Sequence, residues 1–360
     1  MSCQWQTDYP QEEIRKAPKI PLNSPETQNS PLGRRPTLYD VATHAGVSPS
    51  LVSLFLKDPE RISEKRRGAV QKAISELGYR PSRAATTLAS TRTKSIGLVI
   101  DDYRNLWFVD LLRGMESVLS NLGYQVMLAD SRPGKNRIKE ATDGLLAMHV
   151  DALVLAAEPS EAMLSTTWVP TVVAGWRKGV PAGADLITND DDGGGAMAAS
   201  HLLELGHVRV GHLSGADGAS AHRRAGFRRA VETAGVESII SESDGTSEED
   251  GYTAACWLLE HHPDTTAIFA ANDTMALGAF AALKARGLSV PHDVSVIGYD
   301  NSPLAKSRYL DLTSVDNRSD VVGIDAAHRL LARIEDPSLQ PERKLIEPTL
   351  VLRGTTSALR

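Results

Sequence analysis

Two periodicities divide this chain. Between Thr37 and Gly78 apolar residues recur at helical spacing: Leu38, Val41, Ala42 and Ala45, then Val52, Phe55 and Leu56, then Val70, Ala73, Ile74 and Leu77. From Ser95 onward, short apolar runs alternate with amphipathic stretches. The runs are "IGLVI" (96–100), "QVMLA" (125–129), "DALVLAA" (151–157), "PTVVAG" (170–175), "VRVGHL" (208–213), "TAIFAA" (266–271) and "VSVIGYD" (294–300). Runs of this kind fit parallel strands buried on both faces, with the stretches between them as covering helices. The pattern predicts an all-α head and an α/β body. Seven such strands exceed one comfortable core, so the body is expected to form two doubly wound parallel-sheet lobes with a cleft between them.

Local signals sharpen the head. Thr37 can cap a first helix, with Asp40 three residues on as a short capping box, and Gly46 can end it. Ser48 can cap a second helix with Pro49 in its first turn, where the missing N–H costs nothing. Ser63 can cap a third that Gly78 stops. Helix, tight glycine turn, helix is the helix-turn-helix arrangement, whose second helix enters the DNA major groove. Its outward residues are Pro49, Ser50, Ser53, Leu54 and Lys57.

Charge supports this division. The chain of 360 residues has a formal net charge of −6. Arg34 to Ser95 nevertheless holds twelve Lys and Arg against five Asp and Glu, leaving the remainder at −13. A basic module on an acidic body suits a polyanion at one end and another ligand at the other. Residues 1–36 hold six prolines and few apolar groups, and are expected to be disordered. Two cysteines, Cys3 and Cys256, make no disulfide framework, so a reduced, cytoplasmic setting is expected. No apolar run is long enough to span a membrane, and no secretory signal precedes the head.

"TLYDVATHAGVSPSLVS" followed by "ISEKRRGAVQKAISELGYRPSRAATTLASTRTKSIGLVI" resembles the LacI/GalR (lactose-repressor) family of bacterial transcription factors, from about Thr37 to the C-terminus. The resemblance implies a periplasmic-binding-protein type of body. It also implies that Thr37, Tyr39, Ser48, Ser53, Ser63 and Tyr79 position the phosphate backbone, while Pro49, Ser50 and Leu54 face bases. The chain departs from its relatives at "VSLFLK", where they usually carry "VSRVLN". Leu54 cannot make arginine's bidentate contact to guanine. It can touch a thymine methyl or pack on the head, and both readings stand.

The segment "PSRAATTLAS" permits a two-turn helix over residues 83–89, capped by Ser82. Isolated helices this short are marginal, so it should form only against a partner. The resemblance supplies one: paired hinge helices of two subunits in the minor groove, with Leu88 as the wedge between base steps. Expected domains are thus a 1–36 extension, a 37–81 head, an 82–94 hinge helix and linker, and a 95–360 body. Within the body, one lobe covers about 95–190 plus 315–340. The other covers about 191–314 plus 341–360.

Ligands of open parallel sheets bind beyond the carboxyl ends of strands. Asp102, Asn105, Trp107 and Phe108 follow the first strand, and Asn272 and Asp300 follow two later ones. Arg223 opens a later helix. By resemblance, Asp102, Phe108, Arg223, Asn272 and Asp300 match effector-contacting positions, with Asn105, Trp107 and Thr246 as further candidates. Each has a plainer alternative as a cap, core residue or surface ion pair.

The function implied is a repressor whose affinity for a pseudo-palindromic double-stranded DNA operator is set by a small effector, a sugar or related polyol. Induction and corepression both remain open. The chain ends soon after "LVLRGTTS" without a heptad segment, so a homodimer rather than a tetramer is expected. Two alternatives are a solute-binding protein without a DNA role and an enzyme on a nucleotide or sugar. No P-loop, Gly-x-Ser-x-Gly elbow or zinc-type histidine spacing supports the latter, and no cofactor or metal is expected.

Overall fold

The computed structural model describes residues 36–80, 92–131, 137–165 and 169–359. Residues 1–35 and the hinge segment, with Ser82 and Leu88, lie outside the described residues. Two compact units divide the chain between Ala89 and Ser90.

The head has helices α1 (Leu38–Ala45), α2 (Pro49–Lys57) and α3 (Glu64–Leu77). Thr37 and Asp40 form the reciprocal box: the Thr37 hydroxyl accepts from the Asp40 N–H at 3.3 Å, and the Asp40 carboxylate accepts from the Thr37 N–H at 2.7 Å. Gly46 ends α1 at φ 65°, a left-handed conformation that glycine adopts without cost. The Ser48 hydroxyl accepts from the Leu51 N–H and caps α2. Ser63 occupies the N-cap of α3 but makes no side-chain capping bond. Val41, Val52, Phe55, Val70 and Ala73 meet in one small core.

The body holds two six-stranded sheets. The first contains β1 (Ser95–Ile100), β2 (Gln125–Asp130), β3 (Ala152–Ala156), β4 (Thr171–Ala174), β5 (Asp185–Asn189) and β11 (Arg343–Ile346). Its order is β11-β5-β4-β3-β1-β2, and every pairing is parallel. The second contains β6 (Val210–Gly215), β7 (Ile239–Ser243), β8 (Ala267–Ala270), β9 (Ser295–Tyr299), β10 (Thr313–Asp316) and β12 (Thr349–Val351). Its order is β12-β10-β9-β8-β6-β7, parallel except for β12. In both sheets the strand order reverses beside the first strand, which creates a crevice at its carboxyl end.

The helices of the body are α4 (Trp107–Leu119), α5 (Arg137–Ala147), α6 (Asp191–Glu204), α7 (Ala219–Thr233), α8 (Glu248–His261), α9 (Asp273–Ala285) and α10 (Ser319–Glu335). The chain enters the second lobe at about Asp190, returns to the first after β10, and crosses again between β11 and β12. This corrects the expected lobe limits. Residues 315–316 belong to the second sheet as part of β10, and 343–346 to the first as β11. Strand β11 is a mostly exposed edge strand whose polar sequence "RKLI" carries no buried-strand pattern.

Helices pair closely in each lobe through glycine. A Cβ at Gly114 of α4 would lie 2.0 Å from the Asp320 carbonyl oxygen at the start of α10. The same holds between α6 and α7, where a Cβ at Gly195 would lie 2.0 Å from the Arg223 carbonyl oxygen and one at Gly226 1.8 Å from that of Asp192. Backbone cannot yield as a flexible side chain can. We expect Gly226→Ala to lower unfolding free energy by about 2 kcal/mol or more. Gly144→Ala, at an exposed helical site with open space around it, should be neutral or gain about 0.5 kcal/mol. Urea unfolding midpoints of the two variants check this contrast.

Candidate functional sites

A cavity of about 360 Å³ opens between the carboxyl ends of the two sheets. Its first-lobe wall comes from the segments after β1, β3, β4 and β5; its second-lobe wall comes from those after β6, β7, β8 and β9. Of the sequence-derived candidates, Asn105, Trp107, Phe108, Arg223, Thr246, Asn272 and Asp300 line it. Asp102 does not; Asp101 takes its place. One residue changes the direction of a side chain at a strand end. Asp102 instead holds the Arg104 guanidinium at 2.7 Å.

The aromatic candidates serve both as core and as lining. Trp107 and Phe108 are 8% and 6% exposed, belong to the first-lobe core, and meet edge to face at 5.3 Å. Asn105 accepts from the Trp107 N–H at 3.0 Å and so fixes the start of α4. Trp176, after β4, reaches across the opening to the His222 ring of α7 at 4.5 Å between centroids. Beside it the Lys178 ammonium meets the Asp217 carboxylate at 3.2 Å.

The second-lobe wall is built on a buried ion network. Arg223, 7% exposed, donates from Nε to Asp191 at 2.8 Å and from a terminal nitrogen to the Ala271 carbonyl at 2.6 Å. Its other terminal nitrogen lies 3.5 Å from Asp300, and its guanidinium stacks 3.8 Å from the Tyr299 ring centroid. Asp300 also accepts from Asn317 at 2.8 Å, and Asn189 at the end of β5 donates to the Asn317 carbonyl. Asp300 has φ 93°, a strained conformation for a residue with a side chain, held by these partners. Asn272 is the N-cap of α9: its amide oxygen accepts from the Met275 N–H at 2.7 Å, and its amide nitrogen donates to the Thr246 carbonyl at 3.1 Å.

Burial moves several of these charges. Desolvation raises the Asp300 carboxyl to about 6 against the opposing pull of Arg223. Next to it Asp273 is raised to about 7, first by desolvation and then by the negative charge of Asp300. It accepts from the Ser302 N–H and the Ser314 hydroxyl, both at 2.7 Å. Asp191 and Asp300 hold the Arg223 guanidinium above its ordinary range although burial acts the other way. On the first lobe, desolvation raises Asp101 while Arg177 pulls it down. Burial lowers Arg177 itself.

Residues missed in the sequence complete the cavity: Asp101, Glu158, Arg177, Lys178, Asn189, Asp191 and Asp217. All but Asp217 lie within four residues of the carboxyl end of a first-lobe strand. Applying the strand-end rule to every strand would have found Glu158 and Arg177. Asn189 needed strand β5 to be seen first.

In the head, Tyr39, Ser48, Pro49, Ser50, Ser53, Lys57 and Ser63 are exposed, and Thr37 is half-buried with its hydroxyl engaged in the capping box. Two candidates stand differently. Leu54 is half-buried and packs against the head core, favouring its packing reading. Tyr79 is 7% exposed and packs as a core ring of the head.

Taken together, these features define a class: a small-molecule-binding body of two parallel-sheet lobes carried on one chain with a helix-turn-helix module. Residues 37–82 match the family of bacterial regulatory proteins of lacI type, and residues 199–356 match the periplasmic binding protein-like domain. The chain is 36% identical over 336 residues to the HTH-type transcriptional regulator CelR of Thermobifida fusca, covering 89% of this chain and 98% of the relative. A solved CelR–cellobiose complex is similar at 32% identity and TM-score 0.67, covering 89% of this chain and all of that one. The lac repressor dimer bound to operator and an anti-inducer is similar at 27% identity and TM-score 0.77, covering 90% and 100%. This protein belongs to the LacI family of transcriptional regulators.

The Asp273 carboxyl generates a pH prediction. Its folded value of about 7 lies above the ordinary 3.8, so the folded state holds the proton longer than the unfolded chain. Its contribution is fully present below about pH 4 and is lost as pH rises through about 7. Asp273→Asn keeps the shape and removes that titration. We expect the variant to gain stability relative to the parent between pH 5 and pH 8, by on the order of 2 kcal/mol at the upper end. Thermal unfolding across this range checks it; parallel pH profiles for the two proteins would contradict it.

Proposed function

We propose that this protein is a homodimeric repressor that holds a pseudo-palindromic operator and changes its grip when a sugar or related polyol occupies the body's cavity. One observation carries the reading. The chain joins a helix-turn-helix with an exposed polar row on its second helix to a cavity at the carboxyl ends of two parallel sheets. Ser50, Ser53 and Lys57 present polar groups to the major groove, with Tyr39 and Ser48 at the phosphates. Pro49 shapes the start of the reading helix. Thr37, Ser63 and Tyr79 support it, and Leu54 contributes packing rather than a guanine contact. Ser82 and Leu88 act in the hinge, with Leu88 as the minor-groove wedge.

In the cavity, Trp107 and Phe108 supply apolar faces, while Asn105, Arg223, Thr246, Asn272 and Asp300 order the polar groups around the ligand. The cellobiose in the related CelR complex supports a saccharide here. Occupancy shifts operator affinity only as far as the ligand prefers one lobe arrangement over the other. As a bacterial regulator the protein works in the cytoplasm and is associated with the nucleoid while bound.

The test is selection of genomic fragments by the full-length protein. A two-fold-related motif should be enriched, and binding to it should change when a saccharide that binds the protein is added. Recovery of fragments without a shared motif would overturn the reading. Leu88→Ala should lower affinity for the recovered operator about 10- to 100-fold. Unchanged thermal unfolding of the variant would place that loss in DNA contact rather than in folding.

A further inference from the structure

We propose that the effector is an acidic saccharide, a uronate or aldonate, whose carboxylate pairs with the Arg177 guanidinium on the first-lobe wall. The inference deepens the effector reading above and rests on it.

The cations of the cavity differ in how their charge is met. Arg223 lies between Asp191 and Asp300 and donates to the Ala271 carbonyl, so its charge is answered within the second lobe. Lys178 pairs with Asp217 at the exposed mouth. Arg177 makes no ion pair among the described residues. Its terminal nitrogens donate to the carbonyls of Trp176 and Ala156, which are dipoles without net charge. Its Nε is buried and has no partner among the described residues. Asp101 and Glu158 act on it only through their fields. The Glu158 carboxylate is turned to other donors, accepting from the Lys178 and Gly179 N–H groups at 2.9 Å. A desolvated guanidinium without a contacting anion is costly, and an anion that reaches it offsets much of that cost.

The position is a built one. Ala156 ends β3 and Trp176 follows β4, its parallel neighbour, so the guanidinium is braced across two adjacent strand ends. A guanidinium has five N–H donors, and two carbonyl bonds leave terminal N–H groups for a carboxylate of matching fork geometry. Gly175, at φ 73°, leaves the space. A Cβ there would lie 3.3 Å from Nη1 of Arg177 and 3.1 Å from the Trp107 ring. Cation and aromatic ring thus close on one backbone position, and both line the cavity. Their pairing fits a ring with C–H bonds on its faces and one carboxylate on its rim. The wall also limits the anion. Five carboxylates line the cavity against three cations, and two of those cations are paired. A phosphate would bring a second negative charge into this field with no second unpaired cation to meet it, which favours a carboxylate monoanion.

The experiment uses the full-length protein in calorimetry with matched probes: D-glucuronate and D-glucose, D-galacturonate and D-galactose, D-gluconate and D-glucitol, with glucose 6-phosphate as the phosphate arm. At least one acid should bind about 10-fold or more tighter than its neutral partner. Arg177→Gln should weaken that acid about 10-fold or more and change the neutral partner by less than about 3-fold. Arg177→Lys, which keeps the charge and loses the fork, should recover part of the loss. A brace for the strand ends alone would lower both members of a pair equally, and that result overturns the proposal. So does tighter binding of the neutral member in every pair, failure of every acid, or tighter binding of glucose 6-phosphate than of any carboxylate. Unchanged thermal unfolding of the variants places the loss in binding rather than in folding. If a neutral saccharide alters operator affinity while no acid binds, effector control stands and only this inference falls.

Discussion

The buried guanidinium of Arg223 is the constraint on which the body's site depends. It lies out of water between two carboxylates and over a tyrosine ring. Removing such a charge from water costs several kcal/mol, and attraction to its partners returns that only when the geometry is held closely. The fold supplies the geometry. Asp191 comes from the first turn of α6, Arg223 from α7, and the glycine contacts between these helices set their separation. A side chain at Gly195 would strike the carbonyl of Arg223 itself. The packing of one helix pair therefore fixes the position of a charge in the cavity.

The network also reaches the places where the chain passes between lobes. Asp191 follows the first passage directly. Asp300 is joined to Asn317 at the second, and Asn317 is joined through its carbonyl to Asn189 at the end of β5. A ligand that alters the hydrogen bonds of Arg223 or Asp300 thus acts on groups that share partners with the crossover segments. Buried ion pairs are weak evidence for stability, and specificity is their better-attested use. Here the network shares hydrogen-bond partners with two of the segments by which the chain passes between the lobes. At the cavity mouth, the half-buried Trp176–His222 ring contact and the Lys178–Asp217 ion pair join the same walls, the ion pair being exposed to solvent and correspondingly weak.

Much of this was legible in the sequence, and the gaps have physical causes. The head's caps and stops were readable because Thr37, Gly46, Ser48 and Gly78 act locally on the backbone. Most strands that were recognised carry the continuous apolar runs of central positions, such as β1, buried throughout; β2 was found by its apolar run although it lies at a sheet edge and is only partly buried. Strands β5, β7 and β11 escaped because they are only partly buried or polar, with "DLITN", "IISES" and "RKLI" lacking such runs. The short β10, "TSVD", is mostly buried but rich in hydroxyl groups. The cavity was half visible for the same reason. Arg223, Asn272 and Asp300 follow strands that were seen, whereas Asn189 and Asp191 follow one that was not. Asp101 rather than Asp102 lines the cavity, a difference of one backbone step that spacing cannot resolve at a strand end.

Separation of charge ties the two ends together. The basic surplus lies around the helix-turn-helix, where phosphate contacts favour it. Part of the remaining acidity lies on the cavity wall, where the two lobes present different cations to the same space. Arg223 of the second lobe is balanced by Asp191 and Asp300 and bound to the Ala271 carbonyl. Arg177 of the first lobe meets the carbonyls of Trp176 and Ala156, and its buried Nε has no partner among the described residues. Burial without an ion pair lowers the Arg177 guanidinium, whereas two carboxylates raise that of Arg223. The second-lobe wall is thus electrostatically closed on itself, and the first-lobe wall is not.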